Sequence, residues 1–413
     1  MKPNRIDSQV ILDEYVDVRA QSVRLCSPLN PEDYNLQGME DTSPPKWHLG
    51  HTTWFFEEFL LKPYLKDYKE FHPSLQRIFN SYYQTVGIPF TRKHRGMLTR
   101  PSLDVVMEYR SVVDQEVARL LSDIHGRDTK ILEILETGIH HEKQHQELLL
   151  MDIKYSFSLN PLFPAYDTKP RMIYPAADEL GWLEVPPGVY KCGSTSDDLF
   201  YFDNETPSHR TYINHVELSN RLVTNREYLA FIESGGYQSF DLWLSDGWNL
   251  ITSENIQAPR YWIKSDHSWS EFTLHGLQEL DLNAPVSHLT YYEADAFARW
   301  AGARLPSEHE WEIAASLHGG SIPMDHSEAK RSLNNWYYEL WQWTQSSYQP
   351  YPGFKPNPGA LGEYNGKFMV DQYVLRGGCK ASPSNHIRKS YRNFFPSHSC
   401  WMFSGIRLAK DIS

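Results

Sequence analysis

Through roughly the first 155 residues, apolar positions recur at three- and four-residue intervals, the period of helices that bury one face. Between Val105 and Ile124 they fall at Val105, Tyr109, Val112, Val113, Val117, Leu120, Leu121 and Ile124, a single stripe. Residues 131–153 carry a similar one, in which Ile134, Gly138, His141, His145, Leu148 and Asp152 are spaced by four, three, four, three and four. Residues 47–62 follow Thr42, Ser43 and two prolines, the pattern of a helix start. With a further helix expected near residues 7–25, a four-helix bundle is the simplest arrangement.

The pattern then breaks. SFSLNPLFPAYDTKPRMIYPAADELGW holds four prolines and no sustained period, as a linker would. Beyond it, short elements are separated by Gly, Pro, Asn and Ser clusters, with helix signals at Asn225–Ser234 and Tyr292–Ala301. The expected organisation is a helical bundle over residues 1–160, a linker over 161–180, and an irregular α+β domain over 181–413. A chain of 413 residues is long for one core, which agrees with two domains.

Composition narrows the partners. Aromatic residues make up 14% of the chain, with 13 Trp and 25 Tyr, and large rings both fill an irregular core and wall a pocket for a flat ligand. The net charge of −12 and the absence of a Lys/Arg run argue against nucleic acid or an anionic membrane as partner. The first residues lack the apolar core of a signal peptide, and no apolar run reaches the roughly 18 residues of a membrane span. Cys26, Cys192, Cys379 and Cys400 are scattered, unlike a disulfide framework or a zinc ribbon, so a cytoplasmic location is expected.

The sharpest chemical signal is His-Glu-Lys-Gln-His at 141–145. On a helix its two histidines lie one turn apart on the core-facing stripe, where they can grip one metal ion or serve as hydrogen-bonded core residues. The motif also matches that of zinc peptidases, in which Glu142 would be the general base. That reading wants a third ligand downstream, and LLLMDIKYSFSLNP supplies none. Upstream, His48 and His51 lie three apart, with Phe55 and Glu58 continuing the His51 face. One ligand on an early helix and two on a later one converge inside an antiparallel bundle. Three neutral imidazoles leave a divalent ion its charge and open positions, and both zinc and iron suit such a set.

KWHLGHTTWFFEEF and HHEKQHQELLLMDI resemble the DinB-like helical domain of the ergothioneine-biosynthesis sulfoxide synthases. GVYKCGSTSDDLFYFDNETP, VTNREYLAFIESGGY, PVSHLTYYEADAFARWAGARLPSEHEWE, WQWTQSS, LRGG and FSGIRLAK resemble the formylglycine-generating-enzyme-like domain, a variant of the C-type lectin fold. The likeness runs from roughly residue 40 to 413, with the motifs in family order. It implies Fe(II) bound by His51, His141 and His145, with His48 outside the ligand set. It also implies that oxygen drives the joining of a thiol, cysteine or γ-glutamylcysteine, to C2 of the hercynine imidazole, giving a sulfoxide.

The same resemblance implies roles for single residues. Gln144 is similar to the glutamine that contacts the substrate imidazole. Arg92 and Arg95 in FTRKHRGMLTRPS resemble arginines that receive the thiol substrate's carboxylate, a task suited to guanidinium forks. Asn393 in YRNFFPSH resembles the asparagine that holds the hercynine carboxylate. Some members place a catalytic tyrosine shortly after Trp-x-Trp-Thr, where this chain has Tyr348 and Tyr351. Tyr82 and Tyr83 in FNSYYQTVG instead resemble a bacterial subgroup with the pair on the helical domain, and they are the expected proton or electron donors. Members that take γ-glutamylcysteine follow the asparagine with an aromatic and an aspartate; here Phe394 and Phe395 follow it, so free cysteine is expected. Alternatives are a selenium donor on hercynine, as in selenoneine synthesis, and a zinc-dependent DinB-type thiol transferase. Copper-dependent formylglycine generation needs a close cysteine pair, and Cys379 and Cys400 are isolated in sequence.

Overall fold

Asp7 accepts hydrogen bonds from the N–H groups of Gln9 and Val10 and so starts α1 (Ser8–Cys26). α2 (Pro45–Phe56) opens with proline at its first position, where a missing N–H costs nothing. It runs on through a π-helical turn (Glu57–Leu61) into the short α3 (Lys62–Tyr64). α4 (Pro73–Phe79) follows, then α5 (Leu103–Asp123) and α6 (Thr129–Ser158), the last capped by the Asp128 carboxylate. The computed structural model describes residues 7–123, 128–195, 200–266, 268–323, 332–357, 362 and 364–412. Ile124 of the expected apolar stripe and residues 196–199 of the motif beginning GVYKC lie outside them. The chain divides into two compact units, one of Met1–Asp167 with Pro358–Glu363 and the other of Thr168–Asn357 with Tyr364–Ser413.

In the first unit α1, α2, α5 and α6 pack as a four-helix bundle. On α5 the buried set is Val106, Tyr109, Arg110, Val113, Val117, Leu120 and Leu121. Val105, expected inward, is 37% exposed, because counting back one full turn from Tyr109 lands on Val106 as readily as on Val105. α6 is buried almost all round in its middle, not along one stripe. The charges this buries are paired: Lys143 with Glu14 at 2.7 Å, and Glu142 with Arg19 and Arg110, each at 2.9 Å. Two glycines let the helices close. A Cβ on Gly50 would lie 2.2 Å from the Phe79 ring, and one on Gly138 would lie 2.3 Å from the Phe56 ring.

The second unit begins with β1 (Trp182–Val185), after a stretch from α6 without helix or strand. Two hairpin partners follow, β2 (Gly188–Cys192) with β3 (His209–Ile213), while β1 pairs with β4 (Val216–Ser219). α7 (Asn225–Glu233), α8 (Ser245–Ser253), a three-stranded antiparallel sheet β5-β6-β7 (Trp262–Lys264, Trp269–Thr273, Gly276–Glu279), α9 (Tyr291–Trp300) and α10 (Glu308–His318) come next. A four-stranded sheet has the order β10-β9-β8-β11 (Asn393–Pro396, Gln372–Arg376, Trp341–Ser347, Ser404–Gly405), and β12 (Ala409–Asp411) closes back on β4. The helices α7, α9 and α10 each begin with a Thr or Ser capping box, paired with Glu227, Glu293 and Glu310 respectively. The core mixes rings with paired charges: Trp311, Trp341 and Trp343 are buried, and Glu308 accepts from Arg392 Nε at 2.8 Å and Nη2 at 2.9 Å, the guanidinium lying over the Tyr351 ring at 3.9 Å. Among the described residues, no helix is long and apolar enough to cross a membrane.

Candidate metal centre

His51 comes from α2, and His141 and His145 come from α6, where their spacing sets them one turn apart. One nitrogen from each lies within 4.8 Å of the others. His51 Nε2 and His141 Nε2 are 3.1 Å apart. Two imidazoles bound to one ion at ~2.0–2.1 Å hold their nitrogens about 3 Å apart, so the observed spacing fits a shared ion.

The outer nitrogens of His51 and His145 are spoken for in ways that aim the inner ones. His51 Nδ1 is 2.6 Å from the Phe79 carbonyl and must donate to it, leaving the Nε2 lone pair facing His141. His145 Nδ1 meets His48 Nδ1 at 2.8 Å, and His48 Nε2 lies 3.2 Å from Asp152 Oδ2. Asp152 in turn accepts from the Ser43 N–H at 2.8 Å. A chain from carboxylate to imidazole to imidazole therefore orients His145. Burial pushes all three candidate ligands below their ordinary pKa, His51 and His145 well below it and His141 down to about 3. The neutral form is the one that binds a metal.

Glu142 faces away from this cluster. Its Oε1 accepts from Ser22 at 2.6 Å and Arg110 at 2.9 Å, and its Oε2 accepts from Arg19 at 2.9 Å. Burial alone would raise its carboxyl pKa, but Arg19 and Arg110 hold it at about 2. An ionised carboxylate with both oxygens engaged in the bundle core is no general base, which removes the zinc-peptidase reading. Its role is to tie α6 to α1 and α5.

Aromatic rings enclose the cluster. His51 stacks on Trp47 at 4.6 Å and on Trp54 at 5.6 Å, while Phe55 tilts against His141 at 4.6 Å. The Arg95 guanidinium lies 3.4 Å from the Trp47 ring, is buried, and donates to Ser43 Oγ at 2.9 Å. Arg92 is exposed, reaches the Asp41 carbonyl and lies 3.8 Å from that carboxylate. Gln144 is half-buried beside His145. Tyr83 is fully buried against Trp54 and Phe59, and half-buried Tyr82 stacks on it at 4.6 Å. Asn80 holds their loop, donating to the Tyr83 carbonyl and accepting from the Tyr83 N–H.

In the second unit, Asn393 Oδ1 accepts from the Phe394 N–H, the Phe394 ring stacks on Tyr348 at 4.1 Å, and Phe395 meets Trp401 edge-on. Tyr348 accepts from Asn204 and Tyr351 donates to Glu308, and both are buried. These contacts give both phenols structural work inside that unit. Sequence reasoning missed Trp47, Trp54 and the Arg19–Glu142–Arg110 network. The i−4 and i+3 spacing of the two tryptophans about His51 was the available signal, whereas nothing local marks Arg19 or Arg110 as partners of Glu142.

Comparison with known proteins agrees with both units. Residues 14–149 match the DinB superfamily, and residues 175–412 match the sulfatase-modifying factor enzyme 1-like domain. The chain is 28% identical to a hercynine oxygenase from Mycolicibacterium thermoresistibile, over 97% of this chain and 94% of that one. It is 30% identical to a hercynine oxygenase from Mycobacterium tuberculosis, over 66% of this chain and 70% of the other. A formylglycine-generating enzyme from Thermomonospora curvata is 29% identical over 33% of this chain and 48% of its own.

Proposed function

The chain belongs to the hercynine oxygenase family, a DinB domain followed by a sulfatase-modifying factor enzyme 1-like domain, and on that premise we propose that it is an iron(II)-dependent sulfoxide synthase joining the sulfur of cysteine to C2 of the hercynine imidazole. The observation that carries this reading is the cluster of three neutral imidazoles from two helices, with one pair of nitrogens 3.1 Å apart. Iron(II) held by His51, His141 and His145 would supply the activation of dioxygen and the acidification of a bound thiol that the coupling needs.

The protein's own part is to bind and orient. The Phe79 carbonyl holds the His51 ring and the Asp152–His48 pair holds the His145 ring. Holding thiol and imidazole in near-attack geometry supplies much of the remaining acceleration. In this reading Gln144 contacts the hercynine imidazole, and Arg95 with Arg92 receives the thiol substrate's carboxylate. Arg95 is the stronger of the two, since it is buried and, among the described residues, forms no ion pair with a carboxylate. Asn393 is assigned to the hercynine carboxylate, and Tyr82 and Tyr83 to the proton or electron supplied during oxidation. Phe394 and Phe395 favour free cysteine over its γ-glutamyl derivative. The test is incubation of the Fe(II)-loaded protein with hercynine and cysteine, in air and without it, with products read by mass spectrometry. Hercynylcysteine sulfoxide formed only in air supports the reading; coupling without oxygen, or none with it, refutes it.

A further inference from the structure

The rings beside His51 continue into a column that metal binding does not require. Trp54 stacks on His51 at 5.6 Å with 22° between planes, Tyr83 lies 5.6 Å beyond Trp54, and Tyr82 stacks on Tyr83 at 4.6 Å and 27°. The column runs from a buried imidazole, through a fully buried indole and phenol, to a half-buried phenol. We propose that this column is an exit route for oxidising equivalents, used when dioxygen is activated in the pocket and the two substrates fail to couple. The inference rests on the iron-oxygenase reading above.

Two features give the route its direction. Trp54 Nε1–H is buried with no hydrogen-bond acceptor among the described residues. An oxidised indole ordinarily relaxes by giving that proton to a base. Denied one, it keeps the proton, stays strongly oxidising and draws an electron from the half-buried phenol of Tyr82, with the buried Tyr83 ring between them as the bridge. On the other side of His51, the Arg95 guanidinium sits 3.4 Å from the Trp47 ring. A fixed positive charge there opposes forming a second one on the indole. Oxidation therefore favours Trp54 over Trp47. At the far end, Tyr82 is the member with partial solvent exposure, so its phenol can release a proton to water.

The electrons balance as follows. Tyr82 loses one electron, passed inward through Tyr83 and Trp54 to the dioxygen-derived oxidant, and one proton to solvent, leaving a neutral phenoxyl radical. A small-molecule thiol returns a hydrogen atom to that radical and departs as a thiyl radical.

The experiment mixes the Fe(II)-loaded full chain with oxygenated buffer in the absence of hercynine, freezes it, and reads protein radicals by electron paramagnetic resonance. Peptide mass spectrometry of the same samples reads oxidation of His51, His141 and His145. The wild type is expected to show a tyrosyl signal. Trp54→Phe and the double variant Tyr82→Phe/Tyr83→Phe, each checked for iron content and cooperative melting, are expected to lose it and to accumulate oxidised ligand histidines. The double variant keeps both rings, so it serves if Trp54→Phe folds poorly. A tyrosyl signal of wild-type size in a variant, or none in the wild type, overturns the proposal. Sulfoxide formation with both substrates, measured on the same wild-type preparation, reports the iron-oxygenase reading separately: product without a radical sinks only the column.

Discussion

The Nδ1 atoms of His48 and His145 stand 2.8 Å apart, so one imidazole donates to the other. If His145 offers Nε2 to a metal, its Nδ1–H is the donor and His48 passes its own Nε2–H to Asp152. Partners of this kind fix ring orientation and raise ligand basicity. Replacing His48 by alanine is therefore expected to weaken iron binding about 10- to 100-fold, read by competition with a chelator. Unchanged affinity would mean that His145 needs no support from His48.

Glu142→Gln leaves Arg19 and Arg110 with reduced compensation inside the bundle. Breaking a buried pair of this kind costs about 3 kcal/mol, so the midpoint of denaturant unfolding should fall well below that of the wild type. A variant as stable as the wild type would show that these charges contribute nothing net.

The Glu308 carboxyl gives a pH-dependent counterpart in the second unit. Burial would raise its pKa, but Arg392 and Arg376 outweigh that and lower it below 4.5. A depressed carboxylate contributes stability that is fully present above 4.5 and is lost as pH falls through its folded value. Wild type and Glu308→Gln should differ most in urea midpoint near neutral pH, and the gap should narrow as the solution is acidified below pH 4.5. A gap that stays constant with pH would assign the difference to packing.

The tyrosine pair is expected to matter for the outcome of turnover. Replacing Tyr82 and Tyr83 by phenylalanine should divert reaction toward oxidised thiol without carbon–sulfur bond formation. An unchanged sulfoxide yield would remove the pair from the oxidative step.

On the proposed function, the segment after Asn393 is expected to set the choice of thiol. A γ-glutamyl group brings an extra ammonium and carboxylate that lose hydration on binding, and phenyl rings cannot replace that water. Even ~3 kcal/mol separates two thiols by about a hundredfold. Equal concentrations of cysteine and γ-glutamylcysteine should therefore yield almost only the cysteine product, and Phe395→Asp should shift the ratio toward the dipeptide. Comparable incorporation of both thiols by the wild type would contradict this.

Much of this arrangement is legible in the sequence because helices enforce a period. His141 and His145 share a face by spacing alone, and Asp152 continues the same line. What brings His51 to them is the close approach of α2 and α6, which depends on Gly138 meeting Phe56, a contact across the bundle. The partners of Glu142 are equally hidden, since Arg19 lies 123 residues away and Arg110 lies 32 away. α10 opens on a Ser307–Glu310 capping box, but its 11 residues are too few for the Trp311, Ala314 and Ala315 face to show a sustained period. The strands of the second unit are mostly three to five residues long, too short for alternation to declare itself.

The most direct test of the account is anomalous diffraction at the iron edge from crystals loaded with Fe(II) under anaerobic conditions. One peak is expected ~2.0–2.2 Å from a ring nitrogen of each of His51, His141 and His145. A peak elsewhere, or one of these imidazoles more than about 4 Å from the ion, would contradict it.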